Sequence, residues 1–251
     1  MTVPVARLEA TMNRDGFAII PGVLALGQID RLRPCAEVGA PLLRAGQAFG
    51  GRNLLADAGI RKLAMDEPIS ALIEAAAGTA MTPVRALFFD KTPGANWPVL
   101  WHQDLMIAVA QRHEKDGWGP WSLKAGVVHV EPPVALLETM VTIRLNLDDN
   151  DAANGPLRVL PGTHRLGRLK RERVAELRKE IGEVVCVAPL GSAILMRPLL
   201  LHASSPAEEP NHRRVIQIEY APKDALPQPL RWAFAQEPAP PEEGALPPGI
   251  A

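Results

Sequence analysis

The chain has 251 residues, with Lys+Arg 27 against Asp+Glu 28 and a net charge of −1, so it lacks the field that grips a polyanion or an anionic membrane. Hydrophobic residues at 47% exclude wholesale disorder, and two cysteines give no disulfide framework and no thiolate metal site. No apolar run reaches the length of a membrane span, and the first residues lack a basic-then-apolar leader, so a cytoplasmic protein without nucleic-acid or membrane partners is expected.

The first 80 residues read as helical. Leu8, Met12 and the Asp15-Gly16 stop predict a short helix. Residues 28–43 predict a second, with Pro34 and Pro41 limiting or bending it. Asp66 is expected to cap a third through Ala77, with Pro68 in its first turn and Gly78 as its stop. Beyond residue 80 the pattern changes to short apolar stretches between Pro, Gly, Asn and Asp turns. Strands are expected over 84–91, 97–101, 126–130, 140–147, 157–160, 184–188, 193–196 and 213–220. One helix, about 171–181, interrupts them. Proline, at 25 residues, is about twice as frequent as average. Residues 1–224 are therefore read as one domain, mainly β with N-terminal helices, an antiparallel barrel or jelly roll. Residues 225–251 read as a proline-rich extension, strapped or disordered.

Two strands alternate sharply. Over 140–147, Val141, Ile143, Leu145 and Leu147 oppose Met140, Thr142, Arg144 and Asn146. Over 213–220, Arg214, Ile216, Ile218 and Tyr220 oppose Arg213, Val215, Gln217 and Glu219. Either the polar faces meet water, or they line a barrel interior while the apolar faces pack on the helices; the in/out rule favours water.

Chemistry concentrates in three places. His102 and Asp104 are two apart, so on a strand they project from one face and can share a cation. His202 ends the apolar run 196–202. Two imidazoles and a carboxylate make the facial triad of non-haem Fe(II) oxygenases, which leaves coordination positions for cosubstrate and O₂. Arg213, eleven residues further, offers a planar fork suited to a dicarboxylic cosubstrate's far carboxylate, and Ser204 a hydroxyl for the same group. Arg214 is its rival, but alternation puts it on the apolar face.

With these residues in place the sequence resembles the phytanoyl-CoA dioxygenase family of Fe(II)/2-oxoglutarate-dependent oxygenases. His102-Gln-Asp104-Leu matches the proximal iron motif. Asn154-Gly-Pro-Leu-Arg-Val-Leu-Pro-Gly-Thr-His164-Arg-Leu-Gly167 matches the central signature, His202-Ala-Ser204…Arg213 the distal half, and Asp15-Gly-Phe-Ala-Ile-Ile-Pro-Gly22 the entry. The resemblance implies a double-stranded β-helix buttressed by helices, with His102, Asp104 and His202 on Fe(II). It also implies 2-oxoglutarate held by Arg213 and Ser204, with Thr142 and Arg144 lining the same pocket and Arg52 as a further basic contact. The implied reaction is O₂-dependent hydroxylation of an aliphatic carbon of a small molecule, with succinate and CO₂ as coproducts. The carboxylate of Asp104 argues against halogenation. Alternatives are a jelly-roll binding protein without turnover, or a cupin-like metal-dependent isomerase.

Other residues weigh towards structure. His164 sits in a Pro-Gly turn and is expected to make a local hydrogen bond. His113 and His212 read as solvated, Asp148, Asp149 and Asp151 as an acidic turn, and Cys186 as inert filling. Over 117–133, where the family places a substrate-covering loop, Trp118, Trp121, Lys124 and His129 are either substrate contacts or the anchors of a self-packed loop. Substrate and oligomeric state are not legible.

Overall fold

The chain starts as expected. Helix α1 (Leu8–Asp15) ends at Gly16, whose φ of 82° is the left-handed stop a glycine supplies. A Cβ there would lie 2.4 Å from His164 Nδ1, so the site admits glycine alone. The computed structural model describes residues 5–35, 39–44 and 46–234. After β1 (Phe17–Ile20) comes α2 (Leu26–Cys35). The helix expected over 28–43 does not reach its end: residues 40–44 form β2 (Ala40–Arg44), hairpinned to β3 (Gln47–Arg52). Gly39 and Pro41 are poor helix residues, and pairing with β3 wins over local propensity.

The helix expected from Asp66 begins later. The side chain of Asp57 caps α3 (Ala58–Met65), accepting from the Ile60 N–H at 2.9 Å, and Asp66 closes that helix. Pro68 then opens α4 (Ile69–Ala77), which stops at Gly78.

The strands follow as β4 (Thr82–Asp90), β5 (Val99–His102), β6 (Ile107–Val109), β7 (Trp121–Lys124) and β8 (Val127–Val130). After α5 (Val134–Thr139) come β9 (Val141–Asn146), β10 (Leu157–Val159), α6 (Arg171–Glu180), β11 (Val184–Cys186), β12 (Ala193–Met196), β13 (His202–Ser204) and β14 (Arg214–Ala221). They form a seven-stranded sheet, β1-β12-β9-β14-β4-β3-β2, a four-stranded sheet, β11-β10-β13-β5, and a three-stranded sheet, β6-β8-β7. The pairs are antiparallel.

One face of the large sheet is core. Ile143 and Leu145 of β9 and Ile216, Ile218 and Tyr220 of β14 pack with Leu8, Met12, Ile60, Ile69 and Ile73 from the helices. Each such side chain contributes about 1.5–3 kcal/mol on burial. The opposite face carries Thr142, Arg144, Asn146, Gln217 and Glu219, every one of them buried. The polar faces therefore line the interior rather than meet water. The proline-rich stretch begins packed: Trp232 bridges to Val109, and Leu230 and Trp232 are buried. Residues 235–251 lie outside the described residues. No helix among the described residues is long and apolar enough to cross a membrane.

Candidate active site

Register brings the two histidines together. In the antiparallel pair β13·β5, His202 stands directly opposite His102, and their rings lie 4.2 Å apart between centroids. Each imidazole is held by the carbonyl two residues before it. His102 Nδ1 bonds Leu100 O at 2.8 Å and His202 Nδ1 bonds Leu200 O at 2.9 Å. Donation to a carbonyl fixes the proton on Nδ1 and leaves both Nε2 atoms as ligands.

Asp104 lies just past the end of β5, and its N–H donates to Pro198 O at 2.9 Å. Its two oxygens lie 3.8 Å from His102 Nε2 and 3.8 Å from His202 Nε2. The ligand atoms of His102, Asp104 and His202 all fall within 4.8 Å of one another, and among the described residues no other such group occurs. Between the two ligands Gln103 turns away. Its amide donates to Gly167 O and Leu199 O and accepts from the Leu169 N–H, clamping the segment whose neighbours present the ligands.

The electrostatics suit a cation. Burial works to raise the Asp104 carboxyl, but the His202 and His102 imidazoles, Arg85 and Arg144 outweigh it and hold it low. Burial, then the neighbouring His102, pushes His202 down to about 4, so it is a neutral ligand at pH 7. Two imidazoles and one carboxylate match the donor set of a non-haem Fe(II) site.

A cavity of about 240 Å³ opens beside the triad, lined by Arg144, Leu157, Ser204, Arg213 and Gln217 together with Phe49, Phe89 and Trp97. Arg213 is buried there; one guanidinium nitrogen donates to Gly155 O, while its Nε has no partner. Burial, then Arg144, lowers it to about 9. Arg214 takes the other side and pairs with Asp148, at 2.8 Å from Nε and 2.7 Å from Nη2. That fixes Asp148 as a structural partner; Asp149 and Asp151 likewise accept from backbone N–H groups.

Lys91 was not singled out in the sequence. It is fully buried, and its Nζ donates to Ser204 Oγ at 3.1 Å and to Ser205 O. Burial, then Arg213, Arg144 and Arg158, lowers it to about 7. The signal was the two-residue alternation Leu87, Phe89, Lys91, which puts the lysine in step with two cavity residues.

The remaining candidates divide. Arg144 reaches Gln217, whose Nε2 donates to Asp104 at 3.3 Å and to Glu219 at 3.4 Å, and Arg85 donates through Nε and Nη2 to the two carboxylate oxygens of Glu219. Thr142 is buried opposite Glu219, and Arg52 pairs across from Leu87, so both share the inner face without lining the cavity. Trp118 and Trp121 pack on the apolar cluster of Ile107, Val109, Val130 and Trp232. Lys124 and His129 lie on the hairpin's other face. His164 stands apart, its Nε2 3.3 Å from Asn13 O beside a separate cavity with Arg197. Its motif is a brace: Thr163 Oγ1 donates to Leu160 O and accepts from the Leu201 N–H, next to His202 of the triad. Cys186 is buried, its thiol pushed up to about 12 and so unreactive.

The sequence pattern of the family described as phytanoyl-CoA dioxygenase (PhyH) matches residues 12–215. An L-proline trans-4-hydroxylase of Streptomyces griseoviridis is 29% identical over 153 residues, covering 51% of this chain and 48% of that one. The chain thus spans about half the length of the curated relative it matches. AviO1 from Streptomyces viridochromogenes Tue57 superimposes with a TM-score of 0.65 at 24% identity, covering 90% of this chain and 99% of that one. EctD from S. alaskensis with 2-oxoglutarate and 5-hydroxyectoine gives 0.67 at 20%, covering 92% and 83%. These likenesses show a shared fold.

Proposed function

Because this chain belongs to the phytanoyl-CoA dioxygenase family, we propose that it is an Fe(II)- and 2-oxoglutarate-dependent dioxygenase that hydroxylates an aliphatic carbon of a small molecule. The observation that carries the reading is the joining of the triad and Arg213 in one cavity. A metal-dependent isomerase would need the three ligands and would leave a buried, half-satisfied arginine unexplained.

His102, Asp104 and His202 would hold the iron, which with 2-oxoglutarate and O₂ supplies the oxidising equivalent for C–H hydroxylation, releasing succinate and CO₂. The chain's own part is positioning. Arg213 would take the far carboxylate of 2-oxoglutarate through the guanidinium edge that Gly155 leaves open. Lys91 donates to Ser204 Oγ, so the serine's own proton is free to be donated to that carboxylate. Phe49, Phe89 and Trp97 wall the cavity and keep water from the charges. Gln217 holds Asp104 in its ligating orientation and links it to Arg144 and Glu219.

The small-molecule substrate is supported by the enclosed site and by the proline hydroxylase relative. The test is succinate release under air from the iron-loaded enzyme with 2-oxoglutarate and a panel of small molecules, followed by product mass. A substrate that stimulates succinate release and gains 16 Da supports hydroxylation. Product formed without O₂ or 2-oxoglutarate refutes it.

A further inference from the structure

Beyond the His102–Asp104–His202 triad, on the side away from Arg213, the β7–β8 hairpin carries polar groups that the cosubstrate chemistry leaves unused. Opposed residues of an antiparallel pair share a face, so Ser122 with His129, and Lys124 with Val127, lie on the side opposite the apolar pair Trp121 and Val130. The large sheet shows where this lies. Gln217 touches iron ligand Asp104; Arg213 is four residues back along that chain segment, about 13 Å, and Glu219, opposite Arg85, is two residues on, about 7 Å the other way.

Arg52 is tied to the same hairpin. The neighbouring Asn53 donates through Nδ2 to Ala125 O at 3.1 Å, at the hairpin tip beside Lys124. Asn53 (φ 64°) and Ala125 (φ 49°) are the non-glycine residues with positive φ among those described. An alanine in that region is strained, and here strained tip and left-handed asparagine meet each other.

The charges do not balance. Arg85 is matched by Glu219. Arg52 and Lys124 are each part-buried, yet neither side chain makes an ion pair or hydrogen bond within the described residues. Burial and then Arg85 lower both, and Arg52 lowers Lys124 further. His129 adds no charge: burial pushes it down to about 4, and its Nδ1–H donates to Val127 O at 3.0 Å. Ser122 Oγ and Thr142 Oγ1 are buried hydroxyls without a partner. Arg85 is thus taken up by Glu219 and lies in reach of Asp104, while Arg52 and Lys124 have no carboxylate of their own and two hydroxyls are left to donate. Close, uncompensated cations persist where an anion completes them.

We propose that Arg52 and Lys124 form an anion-binding subsite for the primary substrate, which therefore carries a carboxylate or a phosphate group. This assigns Arg52 to the primary substrate rather than to 2-oxoglutarate. The substrate role rests on the oxygenase reading above; the anion binding does not.

The test is calorimetric titration of the Fe(II)-loaded, 2-oxoglutarate-saturated enzyme, held anaerobic, with phenyl phosphate and separately with hexanoate. At least one is expected to bind, and which one distinguishes phosphate from carboxylate. Lys124→Met and Arg52→Met should each weaken that binding about tenfold or more, and Lys124→Arg should retain it, with 2-oxoglutarate affinity unchanged. Should Arg52→Met fail to fold, the Lys124 pair carries the comparison. The proposal is overturned if neither anion binds, if binding ignores both substitutions, or if the anion displaces 2-oxoglutarate. Absence of the chelate's visible absorption with anion binding intact would fault the oxygenase reading alone.

Discussion

Lys91 and Arg213 divide the work at the cosubstrate end of the cavity. Both are buried cations whose charge the interior disfavours, Arg213 at about 9 and Lys91 at about 7. An incoming carboxylate reverses that for the lysine. At pH 8 Lys91 is mostly neutral before 2-oxoglutarate arrives and charged afterwards, because the bound anion favours the ammonium. Binding at pH 8 is therefore expected to take up to one proton, measured by calorimetry in two buffers of different ionisation enthalpy. Lys91→Met should abolish the uptake and weaken 2-oxoglutarate by about tenfold; uptake that persists in the variant would place the proton elsewhere. Asp104→Ala is expected to end substrate-linked succinate formation, since the two imidazoles remain without the carboxylate that neutralises the cation; undiminished turnover would remove Asp104 from the site. The triad, Arg213 and Ser204 were legible because each sits in a motif of fixed spacing. Lys91 was not, because a lysine at a strand end reads as solvent-exposed until the sheet closes over it.

At the scale of elements, sequence reading succeeded where patterning was strong and failed where pairing decided. The alternation of β9 and β14 was read correctly, and only the sidedness was open: water or interior. Burial of Thr142, Arg144, Asn146, Gln217 and Glu219 places the polar faces in the interior. Strand β2 falls inside the helix expected over 28–43, where Leu42 and Leu43 favour helix locally; Pro41 marks a limit to that helix, but only pairing with β3 shows that the chain turns to strand there. Strand β7 falls within the stretch 117–133 read as a loop, and β6 in a segment where no element is expected; both pair with β8, which burial of Ile107, Val109 and Val130 stabilises. One prediction belongs here. Gly155 has φ 59°, and a Cβ would lie 2.5 Å from Ser205 O. Gly155→Ala should shift the carbonyl that accepts from Arg213, raising KM for 2-oxoglutarate with a smaller effect on kcat. An unchanged KM would show that the loop does not position the arginine.

Across the whole molecule, the proposed iron site is where separate sheets and loops are joined. His102 and His202 come from the four-stranded sheet, and Asp104 is held to Gln217 of the seven-stranded one. A metal bound there ties elements distant in sequence, so removal should be felt globally. At about a hundredfold excess over Kd, a bound ion adds about 2.7 kcal/mol. For a domain of this size that raises Tm by roughly 5–11 °C, read by thermal melting with and without chelator. A melting point indifferent to metal would mean that the three side chains do not converge on one ion. The family motifs made the site legible across a hundred residues; the hairpin's charge cluster was not, because no spacing links Arg52 to Lys124.

The most direct measurement is an anaerobic titration of Fe(II) into the metal-free enzyme with 2-oxoglutarate present, followed by visible absorption. A weak charge-transfer band should grow to one equivalent of iron. It should be absent in His202→Ala and Asp104→Ala, and require a far higher 2-oxoglutarate concentration in Arg213→Met. No band in the unaltered enzyme, or a band equally strong in the His202 and Asp104 variants, would contradict a single iron held by these three residues.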